Sequence, residues 1–229
     1  MTRASRKSAR AQLKSALEVE DSSARLQAAL TAGMRPDPEY LDVLIERCAI
    51  EPDFYVRDML SWALTRHDRS AALNRLLQEL RSDIPQARSQ ALHTLSKIGD
   101  PRTWSAIGVE LLQDDNDEVA RTAWRAAAGL VADGHQVELA ETLSTQFNRG
   151  GRELQLSLSR AFGTLGSAAS AVVERAAVHP DPGVRAHALA TERIMQNPDE
   201  GFDAAIAEAK RTVALLGAPL VEVGPDADR

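Results

Sequence analysis

Apolar positions along the chain recur at helical spacing in short runs. Val56, Leu60 and Leu64 form one run and Ala87, Ala91, Leu95 and Ile98 a second. Val119, Ala123, Ala127 and Leu130 form a third, and Leu154, Leu158, Phe162 and Leu165 a fourth. Spacings of three and four put each run on one stripe of one helix. Between them lie further amphipathic segments: Leu41, Leu44, Ile45 and Cys48, then Leu73, Leu76, Leu77 and Leu80, and finally Phe202, Ala205, Ile206 and Ala209. Alternating the two sets predicts helices joined pairwise into hairpins.

The runs are copies of one pattern. Aligned on the first inward apolar residue, they start at Ala24, Val56, Ala87, Val119, Leu154 and Val184, at intervals of 32, 31, 32, 35 and 30 residues. Three residues before each anchor stand Asp21, Asp53, Ile84 (beside Asp83), Asn116, Gly151 and Asp181. In that slot a side-chain oxygen can take up the unpaired N–H groups of a helix start, so four of these residues are good caps. Directly after the anchor come Arg25, Arg57, Arg88, Ala120, Gln155 and Arg185, with Arg121 one place late in the fourth copy. The stretch "HPDPGVRAHALA" (179–190) thus begins the second helix of a hairpin, and "EPDFYVRDMLSWAL" (51–64) is an earlier copy. In "IGDPRTW" (98–104), Gly99 suits a left-handed helix end, Asp100 a cap and Pro101 a first turn. A hairpin cannot hide its own apolar face, so successive hairpins must stack. The expected fold is all-α: a single right-curving α-solenoid of about six antiparallel hairpins.

Residues 82–130, "SDIPQARSQALHTLSKIGDPRTWSAIGVELLQDDNDEVARTAWRAAAGL", resemble HEAT repeats of the short, phycobilisome-lyase-like kind. They carry the Asp or Asn cap, a small or β-branched residue next to Arg, an Ala four past the anchor, and Ile-Gly-Asp-Pro-Arg. The resemblance covers roughly residues 20–196 and is specific for fold rather than function, since the family includes scaffolds, chromophore-lyase subunits and DNA glycosylases. The fourth and fifth copies depart from the pattern at Arg121 and near Leu154, and Glu192 takes an inward slot, so less regular stacking is expected there. The expected organisation is a solenoid over 1–216: a first hairpin with a basic N-terminal helix (1–34), repeats over 35–198 and a capping helix over 199–216. A flexible tail (217–229) follows.

Composition narrows the function classes. Hydrophobic residues make up 44% of the 229, enough for a packed core, and the 4% aromatic share favours helix over sheet. A formal net charge of −6 argues against coating nucleic acid by bulk electrostatics, which needs clustered Lys and Arg. The single cysteine, Cys48, excludes an intrachain disulfide or multi-cysteine metal site, fits a reducing compartment, and shares an apolar stripe that reads as buried and inert. No apolar run reaches membrane-spanning length. The basic start, with Arg3, Arg6, Lys7, Arg10 and Lys14, has the look of a targeting segment but runs straight into helical sequence; a solvated first helix and a cytoplasmic protein are expected. His67, His93, His135, His179 and His187 lack metal-ligand spacing, and no GxGxxG, GxxxxGK[ST] or GxSxG stretch occurs. Neither metal nor cofactor is expected. Trp104 and Trp124 lie beside apolar stripes and read as packing residues.

The resemblance implies that the second helices line the concave wall, with the positions two and six past each anchor facing the groove. These are Asp58 and Trp62, Ser89 and His93, Arg121 and Arg125, Leu156 and Arg160, and Ala186 and Ala190. An acid and an aromatic mark one end, arginines the middle, and small apolar residues the far end. Arg57, Arg88 and Arg185 instead read as structural, tying neighbouring hairpins through a carbonyl or carboxylate. The leading expectation is a non-enzymatic scaffold that holds a partner peptide, helix or acidic segment in this groove. The alternatives are a DNA-binding protein or HEAT-like alkylpurine DNA glycosylase, with Asp58 and Trp62 as the matching pair, and a chromophore-lyase-like subunit.

Overall fold

The computed structural model describes residues 3–198 and 201–216, with side chains from residue 9 to 198 and 201 to 215. The tail expected over 217–229 and the side chains of Arg3, Arg6 and Lys7 lie outside the described residues. All regular structure among the described residues is helical. Six hairpins follow in order: α1 (Arg3–Leu17) with α2 (Ser22–Met34), α3 (Tyr40–Cys48) with α4 (Phe54–Thr65), and α5 (Arg69–Glu79) with α6 (Pro85–Ile98). The fourth pairs a 3₁₀ segment (Pro101–Ala106) and α7 (Val109–Leu112) with α8 (Asp117–Leu130). The fifth is α9 (Gln136–Ser144) with α10 (Arg152–Leu165), and the sixth pairs a 3₁₀ segment (Gly166–Ala169) and α11 (Ser170–Ala176) with α12 (Pro182–Gln196). A last helix, α13 (Phe202–Leu216), packs on α12.

Serial order is plain in the packing. The second helices α2, α4, α6, α8, α10 and α12 each touch the next, forming an inner row, while the first members form an outer row. This is an α-solenoid. One core cluster runs from Leu13 to Ala188 between the two rows. Small buried hydroxyl side chains let the inner helices approach one another. Thr94 bonds Ser61 at 3.2 Å, Ser89 lies 3.3 Å from Thr122, and Ser159 lies 2.7 Å from Thr191.

The repeat pattern supplies the helix ends. All six residues read as cap positions stand at the N-caps of the inner helices. Asp21, Asp53, Asn116 and Asp181 accept backbone N–H groups of the first turn; Ile84 and Gly151 do not. Gly99 closes α6 in the left-handed region at φ 68° and Asp100 accepts the Arg102 amide, as "IGDPRTW" predicts. The anchors Val56, Ala87, Val119 and Leu154 are buried and Val184 is half-buried. Ala24 is exposed, because the buried stripe of α2 runs one place later, through Arg25, Ala29, Ala32 and Gly33.

The arginines after the anchors tie the turns. A helix leaves its last carbonyls unpaired. Arg25, Arg57 and Arg185 reach back five and six residues to two carbonyls each: Val19 and Glu20, Glu51 and Pro52, His179 and Pro180. Arg88 reaches the Ser82 carbonyl and forks onto Asp114 of the next hairpin. In the fourth and fifth copies, where the pattern departs, two substitutes serve the turn carbonyls. Six residues before Ala120 lies the Asp114 carbonyl, and Arg149, from the next turn, donates to it. Gln155 donates to the Gly150 carbonyl, five residues back.

The first two hairpins are joined by a buried ionic cluster. Glu51 is fully buried and accepts Arg25 Nε at 2.8 Å and Nη2 at 2.7 Å, Arg47 Nε at 2.8 Å and the Asp53 amide at 2.9 Å. Burial alone would push its carboxyl up; those donors outweigh it and bring the pKa down to about 2.

Candidate functional site

Where α4, α6 and α8 run side by side, their inner faces enclose an open cleft of about 530 Å³. Asp58, Ser89, His93, Arg121 and Arg125, five of the ten groove-facing positions expected from the sequence, line it. Phe54, Pro85, Gln86 and Asn116 close the side formed by the helix starts, and Gln90, Glu118 and Thr122 complete the floor together with Arg57, which was expected to be structural alone. The positions just before each anchor therefore belong to the cleft as well as those two and six past it. The sequence signal for them is the cap segment, whose residues also start the inner helices.

Trp62 is placed differently. Its ring packs on α2, where Gly33 approaches so closely that a Cβ there would stand 2.4 Å from a ring carbon of Trp62 and 2.9 Å from the Ala63 Cα. The side chain is half-buried against the core and does not line the cleft. Gly33→Ala is therefore expected to destabilise the protein by about 2 kcal/mol through overpacking, although alanine is the better helix former by about 1 kcal/mol. Urea unfolding of the variant checks this; a stabilised Gly33→Ala protein would contradict the placement of Trp62.

Arg160 also lies outside the cleft, exposed on α10, and its guanidinium has no hydrogen-bond or ion-pair partner among the described residues. The apolar far end is covered. Ala186 and Ala190, with Leu156 beside them, pack against Phe202, Ala205, Ala209 and Val213 of α13, in a cluster separate from the main core. Arg152 forks onto Asp203 at the start of α13. The α12 end of the inner face is thus closed by α13.

The cleft's charges are unevenly paired. Lys97 Nζ lies 2.6 Å from Asp58 Oδ1, and this bond holds the Asp58 carboxyl below its ordinary range against the effect of burial. His93 sits between Asp58, 3.6 Å from Nε2, and Arg125, whose Nη2 is 3.5 Å from Nδ1. Burial, Lys97 and Arg125 lower the pKa of His93 and outweigh Asp58, so the ring is neutral at pH 7. Arg121 pairs with Glu118 at 2.8 Å, an exposed contact one helical turn apart that is worth little and easily exchanged. Among the described residues Arg125 has only its long contact to the neutral His93. The arrangement offers forked cationic donors beside a neutral imidazole, suited to carboxylates or other planar anions.

Other polar candidates resolve as structure. Trp124 is fully buried and donates from Nε1 to the Leu112 carbonyl at 2.7 Å; Trp104 is half-buried beside His135. Cys48 is buried, and burial pushes its thiol up to about 12, which leaves it unreactive. Among the described residues no three His, Cys, Asp or Glu side chains converge as a metal site, and no helix is long and apolar enough to cross a membrane.

Comparison with known families agrees with this geometry. The family model for HEAT repeats matches residues 49–129, the stretch that carries every residue lining the cleft. No curated protein matches the chain. Among solved structures, an engineered protein is similar at 18% identity and a TM-score of 0.44, over 82% of this chain and 96% of that one. Human deoxyhypusine hydroxylase in complex with glycerol is similar at 16% identity and a TM-score of 0.44, over 93% of this chain and 97% of that one. Likenesses this distant carry no argument about what this protein does.

Proposed function

We propose that the protein is a non-enzymatic interaction module whose inner cleft takes an acidic segment of a partner protein. The observation that carries this reading is the state of Arg125. Arg25, Arg47 and Arg88 are matched to carboxylates at short distance, whereas Arg125 projects into the cleft with no acidic partner among the described residues. Arg121 adds a second guanidinium, held only by an exposed neighbour on its own helix. An incoming carboxylate gains forked hydrogen bonds from both without breaking any buried contact. The pair expected for a DNA glycosylase is not assembled: Asp58 is bound to Lys97, and Trp62 packs on Gly33 away from the cleft.

A fluorescein-labelled Glu/Ser decapeptide, with a single-stranded DNA decamer as the competing probe, tests the reading by anisotropy at low salt. The expected result is saturable peptide binding that falls at least tenfold in Arg121→Glu/Arg125→Glu. Equal binding by the charge-reversed protein, or preference for the DNA, would overturn it.

A further inference from the structure

The cleft's charged floor is only half of the surface around it. Four of the ten exposed large apolar side chains among the described residues gather at its helix-start edge. Phe54 is 65% exposed and Tyr55 71%, with their rings edge to face at 5.6 Å; Ile50 is 63% exposed and Ile84 46%. They belong together. The Gln86 amide donates to the Cys48 carbonyl at 2.9 Å and the Glu51 carbonyl at 2.8 Å, bringing the start of α6, with Ile84, against the turn that carries Ile50. Phe54 is braced from below: the Arg57 guanidinium, itself fixed on two carbonyls, lies 6.0 Å from its ring centre. An exposed apolar patch joined to a cationic cleft, with an aromatic already held in place, has the composition of an interface centre.

The geometry points to a partner segment with two separated features: an aromatic or large aliphatic residue seated on Phe54, Tyr55, Ile50 and Ile84, and acidic residues on Arg121 and Arg125. This rests on the acidic-partner reading above and adds the apolar anchor and its spacing. The patch begins on α4 and the arginines stand on α8, two helices further along the inner row. Packed helices lie about 8–10 Å apart, so the span is roughly 16–20 Å. An extended chain advances about 3.3 Å per residue, which sets the anchor about five or six residues from the acids. Charge fixes the polarity of placement, since an acid seated at the patch would lose the arginines and bury apolar surface against nothing.

A random dodecapeptide library displayed on phage, selected against the full chain, reads the preference directly. The expected consensus joins one aromatic or large aliphatic residue to a pair of acids five or six positions away. A synthetic peptide of that consensus should bind Phe54→Ser/Tyr55→Ser and Arg121→Glu/Arg125→Glu at least tenfold more weakly, while Phe54→Leu keeps most of the affinity. All altered residues are exposed or lie at the open cleft, and circular dichroism confirms that each variant is folded. Acidic consensus peptides without an apolar anchor, or full binding by Phe54→Ser/Tyr55→Ser, would sink the anchor and leave the acidic reading standing. Selection of peptides without acids, or full binding by the charge-reversed protein, would remove both.

Discussion

Glu51→Ala is expected to lower the unfolding free energy by about 3–5 kcal/mol, the largest effect of any single polar substitution in the chain. The Glu51 carboxylate lies at the meeting of two hairpins and takes donors from Arg25, Arg47 and the Asp53 amide. Removing it leaves the buried Arg25 guanidinium without a counter-charge and withdraws an acceptor from the turn that starts α4. Most of the penalty is the stranded cation rather than the lost attraction. The double variant Arg25→Met/Glu51→Leu should therefore recover much of the loss, because a buried ion pair replaced by apolar groups of similar size is often neutral. Urea unfolding midpoints check both halves; a double variant no better than Glu51→Ala would contradict the account.

The second large effect appears on acidification. His187 is 1% exposed, accepts the Asn148 amide at Nδ1 (3.0 Å) and faces the Gln155 carbonyl with Nε2 (3.0 Å). It is therefore a neutral ring protonated at Nε2, and burial pulls its pKa down to about 4 despite the Gln155 carbonyl. Unfolded histidine titrates near 6.5, so between the two values the unfolded chain binds a proton that the folded chain refuses. Stability should be full above pH 6.5, fall by about 3 kcal/mol towards pH 4, and show no further loss from this group below. His187→Asn keeps an acceptor near the Nδ1 position but cannot titrate, so its pH–stability curve should be flatter in that window. Parallel curves for the two proteins would remove His187 as the cause. Glu51, with its pKa near 2, adds its own loss only lower, as pH falls from about 4.5 towards 2.

How much of this was legible in the sequence varies with the range of the interaction. Caps are local: Asp53 bonds an amide three residues on, and all six N-cap positions follow from the repeat alone. The arginine ties of Arg25, Arg57 and Arg185 are almost as local, spanning five or six residues. Trp62 could not be placed the same way, because its neighbour Gly33 lies on another hairpin, and only the closeness of α2 and α4 turns an inward position into a packed one. Arg149 likewise serves a carbonyl thirty-five residues earlier, which no repeat alignment anticipates. For the site, helical phase put Asp58, Ser89, His93, Arg121 and Arg125 on one face, but their pairing depends on the offset between adjacent helices. A capping helix on the last hairpin follows from the sequence, but that its cover falls on the groove-facing Ala186 and Ala190 does not, because an apolar surface in sequence looks the same whether open or occupied.

Arg149 has a consequence for how such an array can change length. A unit whose own arginine serves its turn, as those of Arg57 and Arg185 do, carries the partner of its turn carbonyls with it when it is duplicated or moved. The fourth unit has lent that task to the fifth, so the two form an inseparable couplet. Gene-level shuffling that keeps the protein viable would have to move them as one.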